Sequence, residues 1–108
     1  MMDIEALAET LDFDIEDVAV LVELFVENAQ VSLANIEEAI EGNDISTIQN
    51  EAHAIKGSAA NLMLVDIQDM AREMEEAAKS NQKINYLSLF SQIEEKIERL
   101  SEVQISYA

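Results

Sequence analysis

The sequence predicts an all-α fold: an antiparallel up-down four-helix bundle with a short extra N-terminal helix. Three observations carry this expectation. Apolar residues recur at steps of three and four along nearly the whole chain, which is the period of an amphipathic helix. The 108 residues include no proline and only two glycines, Gly42 and Gly57, a composition that suits long helices better than sheets with tight turns. Polar breaks divide the chain into segments of helical length joined by short links, as an antiparallel bundle requires. The length suits one domain, residues 1–108, with one core. No internal repeat, low-complexity segment or linker interrupts it.

The short first helix is expected over residues 3–10, with Ile4, Leu7 and Leu11 on one side. Asp12-Phe13-Asp14 breaks it, and Asp14 is the N-cap candidate for the next helix. The bundle proper is expected over residues 15–103. Its first helix, 15–41, carries Val18, Val22, Phe25, Ala29, Ile36 and Ile40 on one stripe. Gly42-Asn43-Asp44 ends it: Gly or Asn suits the C′ position, and Asp44 can cap the next helix. A helix over 45–64 presents Ile45, Ile48, Ala52, Ile55, Ala59 and Leu62. Another over 66–79 presents Ile67, Met70, Met74 and Ala77. After the polar loop Ser80-Asn81-Gln82, a last helix over 85–103 presents Leu87, Phe90, Ile93, Ile97 and Leu100. Met70, Met74, Phe25 and Phe90 read as packing residues.

Composition removes several chemistries. With no cysteine there is no disulfide, thiolate metal site or cysteine nucleophile. The chain has a single histidine, so a histidine-based zinc site is disfavoured as well. The net charge of −17 is uneven: the first 55 residues hold 14 acids and no Lys or Arg, while all six bases lie from Lys56 onward. Such a surface repels nucleic acid and anionic lipid, and fits a basic or neutral protein partner. The acidic start is unlike a secretory signal, and no apolar run approaches the roughly 20 residues that span a bilayer. A cytoplasmic location is expected.

The histidine is His53, and its helical position gives it meaning. At about 100° per residue it falls roughly 130° from the centre of its helix's core stripe, so it points to solvent. Lys56 at i+3 and Gly57 at i+4 border it on the helix surface. A glycine inside a helix costs about 1 kcal/mol relative to alanine. Either another helix crosses closely at Gly57, or an outside molecule must reach the imidazole. Ala60, one turn on, is also small. An imidazole in a small-residue clearing beside an ammonium suits a dianionic phosphoryl group. Gln49 at i−4 and Asn50 at i−3 are within reach of the imidazole or its phosphate, though such residues are more often simply solvated. A serine nucleophile is disfavoured because Ser58 lies on a different face, with no evident orienting acid or oxyanion hole.

The segment from Glu51 to Leu62, with His53, Lys56, Gly57, Ser58, Ala59, Ala60 and Leu62, resembles the histidine phosphotransfer (HPt) family. The Gly42-Asn43-Asp44 break looks like the family's Gly-Asp turn, and the Met70-Ala71 and Met74-Glu75 positions look like its next helix. The likeness runs over about residues 15–100. One position departs: family members commonly have glycine directly after the Leu, where this chain has Met63, a change expected to lengthen the helix or alter its turn. The resemblance implies a phosphorelay intermediate that takes a phosphoryl group from a receiver-domain aspartate, or from a kinase, and passes it to another receiver. His53 would be the acceptor, through Nε2, with Lys56 its charge partner and Gly57 providing access. The chain would need no cofactor and would not be an enzyme alone, since the receiver supplies Mg²⁺ and most of the transition-state machinery.

Such a carrier needs a modest apolar docking patch. Val20, Leu24 and Val31 lie together on the back of the 15–41 helix, roughly 140–220° from its core stripe. Leu7 and Leu11 of the short helix either cover this patch or join it. The expected partners are receiver domains of response regulators or a hybrid sensor histidine kinase, met by a monomer, with no nucleic acid or membrane involved. A different reading stays open: a non-catalytic helical interaction module in which His53 is incidental.

Overall fold

The computed structural model describes residues 8, 9, 11 and 14–105. Four helices account for nearly all of them: α1 (Ile15–Glu41), α2 (Ile45–Asn61), α3 (Val65–Lys79) and α4 (Tyr86–Ile105). There is no strand among the described residues. The 27 residues of α1 correspond to a length of about 40 Å, close to the longest extent of the molecule, 42 Å. Each helix packs on its chain neighbour and α4 closes on α1, which completes the expected up-down ring. The closest packing is between α2 and α3, the pair that carries the site.

The predicted stripes form the core. Val18, Val22, Ile36, Ile48, Ala52, Ile55, Ala59, Met74, Ile93, Ile97 and Leu100 are buried, as are Phe25 and Phe90. Ile40, Ile45 and Met70 are half-buried against it. The core is wider than the stripes suggested, because Val26, Leu33, Ala39, Leu64, Ala71, Ala78, Tyr86 and Leu89 are buried too. Leu87 is a correction: expected in the core, it is 54 % exposed. With α4 beginning at Tyr86, the buried arc is centred between Tyr86, Phe90 and Leu89, and Leu87 falls about 110° from that centre. Of the expected N-terminal helix, Ala8 and Glu9 are helical and Ala8 is buried. The rest of that element, including Ile4 and Leu7, lies outside the described residues.

The three turns share one geometry. In each, a residue at positive φ follows the helix: Asn43 (55°), Met63 (57°) and Asn81 (52°). The next residue donates back to the helix, Asp44 N–H to the Ala39 carbonyl, Leu64 N–H to Ala59 and Gln82 N–H to Ala77. These are Schellman turns, which close a helix by satisfying its last carbonyls. Asn43 therefore takes the C′ place, and Gly42, at φ −89°, remains within ordinary backbone space. The Asp44 carboxylate accepts from the Thr47 N–H at 3.2 Å and caps α2 as expected. Asp14 makes no side-chain cap on α1. The helix predicted over 45–64 ends at Asn61, because the turn at Met63 buries Leu64, which a continued helix would point away from the core, despite the missing glycine.

The segment Glu16–Glu41 of α1 is long and apolar enough, by length and composition, to cross a membrane, although acids interrupt its apolar runs. In the bundle one of its faces is core, and Glu23 and Glu27 stand exposed along it.

Candidate phosphoryl-accepting site

His53 stands mid-way along α2, opposite the buried residues Ile48, Ala52, Ile55 and Ala59 that seat the helix. Its side chain is 67 % exposed, as the helical geometry predicts. The ring is nevertheless held. Glu75 reaches across from α3 and places Oε2 at 2.5 Å from His53 Nδ1. The other carboxylate oxygen, Oε1, is 2.5 Å from Lys56 Nζ. One carboxylate thus ties together the two side chains that the sequence had paired. Glu75 itself is 14 % exposed at the edge of the α2–α3 seam.

Burial alone would push the Glu75 carboxyl up, but hydrogen bonds from Lys56 and His53, with their charges, outweigh it and hold the group below its ordinary value. Glu75 is therefore an anion, and a carboxylate only accepts hydrogen bonds. Nδ1 of a neutral His53 must then carry the proton, which leaves the lone pair on Nε2. The result is an imidazole fixed by one nitrogen and nucleophilic at the other.

The surroundings leave room for a donor. A Cβ built on Gly57 would meet nothing within 4 Å, so no neighbouring helix requires that glycine. Of the two explanations for a mid-helix glycine, close helix packing is removed. Ala60 and Ser58 are exposed as well. Gln49 is half-buried and Asn50 exposed, and the imidazole's hydrogen bond is made to Glu75 rather than to either of them. Glu75 is the residue that sequence reasoning missed. Its one local signal is its place beside the buried Met74, at the border of the α3 core stripe.

Along α1, Val20, Leu24 and Val31 are exposed, with Leu21 beside them. Leu11 is half-buried against the core, so it contributes packing there; Leu7 lies outside the described residues. Arg72 pairs with Asp69 on the surface of α3, away from the site's hydrogen bonds.

The fold has a counterpart among solved structures, and the sequence matches a family model. The solved structure of histidine-containing phosphotransfer protein B (HptB) from Pseudomonas aeruginosa PAO1 superposes with a TM-score of 0.81 at 21 % identity, covering 96 % of this chain and 88 % of that one. At that identity the likeness speaks for the fold alone. No curated protein matches the chain in sequence. The Hpt domain family model matches residues 20–103, a span that holds His53, Lys56, Gly57 and Glu75 together. A bundle of this topology with that match has one assignment: the chain belongs to the Hpt domain family and has a histidine phosphotransfer role in a phosphorelay.

Proposed function

We propose that His53 is the residue of this chain that carries the phosphoryl group, and that it does so on Nε2. The observation that supports this most is the Glu75 bridge, which engages Nδ1 and leaves Nε2 free on a ring that is 67 % exposed. In the transfer, the Nε2 lone pair forms the N–P bond as the O–P bond of the receiver's aspartyl phosphate breaks. The bonding electron pair stays on the aspartate. Nδ1 keeps its proton against the Glu75 carboxylate, which offsets the positive charge that develops on the phosphorylated ring. Return of the group to a second receiver is the same step reversed.

Gly57 and Ala60 leave the approach to Nε2 low, and Lys56 supplies an ammonium at its edge. The exposed residues Val20, Leu24 and Val31 of α1 are the proposed docking patch, with the acids around them favouring a basic or neutral partner. The partners are receiver domains or a hybrid kinase. The chain works as a cytoplasmic monomer, needs no cofactor of its own and turns nothing over alone, since Mg²⁺ sits on the receiver. The test is transfer from a ³²P-labelled receiver domain. Wild type should gain label and His53→Gln should gain none. Equal labelling of both would overturn the assignment.

A further inference from the structure

Met63 stands out as a residue in an unfavourable backbone position with little packing in return. It holds φ 57°, a region that L side chains other than Asn and Asp rarely adopt. Strain of this kind persists only where the surroundings enforce it. Here Leu62 and Leu64, both buried, anchor the turn on either side. The Met63 side chain gains little packing from the arrangement, because it is 49 % exposed, and Val65 next to it is 56 % exposed. The equivalent C′ places in the other two turns hold Asn43 and Asn81, polar residues that accept positive φ at small cost. Only this turn presents two large apolar side chains to solvent at the C′ residue and shortly after it.

The turn belongs to the α2–α3 hairpin, which also holds His53 and Glu75. Asn61, the last residue of α2, follows His53 by eight positions, a rise of about 12 Å, and Met63 follows two residues later in the turn. A receiver that brings its aspartate to Nε2 must cover the surface around His53. A typical footprint of about 800 Å² per partner corresponds to a disc about 16 Å in radius, so Met63 lies at its rim. Gly57 and Ala60, small and exposed, lie between them along α2.

Resting on the assignment of His53, we propose that Met63 is a specificity-determining contact for the receiver docked at His53. With Val65 it forms an apolar ledge that inserts against an apolar, non-acidic recess of that receiver. Partners lacking such a recess lose the contact and meet a protruding side chain instead. Burying the exposed half of a methionine corresponds to about a three- to tenfold change in affinity.

The experiment measures phosphotransfer from ³²P-labelled receiver domains of the source organism to wild type and to Met63→Gly, Met63→Asn and Met63→Leu, with KM for the receiver and kcat determined separately. Gly and Asn suit the backbone and remove the apolar side chain, whereas Leu keeps it. For the receiver that labels wild type with the lowest KM, the Gly and Asn variants should raise KM about three- to tenfold with kcat unchanged, and the Leu variant should stay near wild type. Equal KM in all four proteins overturns the proposal and leaves the His53 assignment standing. The proposal is equally overturned if Leu behaves as Gly and Asn do. If no receiver labels wild type, the His53 assignment fails, and this proposal fails with it.

Discussion

At His53 one nitrogen of the ring is held and the other is open, and both consequences can be measured. Glu75 is the anchor, and its carboxyl lies below its ordinary value. A carboxyl depressed in the folded state adds stability that is fully present above its unfolded value and is lost as pH falls through its folded one. Wild type should therefore be more stable than Glu75→Gln at neutral pH, and the difference should disappear on acidification. Urea midpoints measured at a series of pH values check this. The same variant keeps an acceptor for Nδ1 but removes the anion, so transfer should slow without being abolished. Gly57 makes the opposite trade. Gly57→Gln replaces a helix-interior glycine where nothing obstructs a Cβ, so it should stabilise the bundle by about 0.5–1 kcal/mol. It should also block transfer by filling the clearing beside Nε2. Chemical denaturation combined with a transfer assay separates the two effects, and a loss of stability would refute the reading of Gly57 as an access residue.

Among the elements, the α2–α3 connection shows how packing overrides local preference. The helical pattern of α2 runs on through Leu62, yet the helix stops at Asn61: a continued helix would point Leu64 about 150° away from the core stripe, and the turn buries it instead. Met63 bears the resulting left-handed conformation, which costs a side-chain-bearing residue about 1–2 kcal/mol. Met63→Gly should recover part of that, about 1 kcal/mol, and raise Tm by several degrees in a domain of this size. A thermal melt followed by circular dichroism tests it. The turn should keep its Schellman hydrogen bonds, since these come from backbone groups alone.

For the molecule as a whole, the four-helix ring separates a buried core from exposed helix faces. Residues on the inner stripes are buried, while α1 offers Val20, Leu24 and Val31 to solvent beside an acidic surface. An exposed substitution such as Leu24→Ser should change stability by no more than about 0.5 kcal/mol. It should raise the receiver concentration needed for half-maximal transfer several-fold. Titration of the labelled receiver against the variant measures this, and an unchanged half-maximal concentration would remove Leu24 from the docking patch.

The sequence alone determined the helices, most of the core and the outward direction of His53, because a 3.6-residue period fixes which side chains share a face. It also paired His53 with Lys56 and Gly57, since neighbours three and four apart on a helix must be neighbours in space. Leu87 obeys the same period: it lies about 110° from the arc of Tyr86, Leu89 and Phe90, and stands exposed. Only the tertiary structure showed that no neighbour crowds Gly57 and what holds the imidazole. Glu75 lies 22 positions from His53, and no local period links residues on different helices. Their meeting depends on how α3 rotates and slides against α2, which is settled by the fit of the whole core.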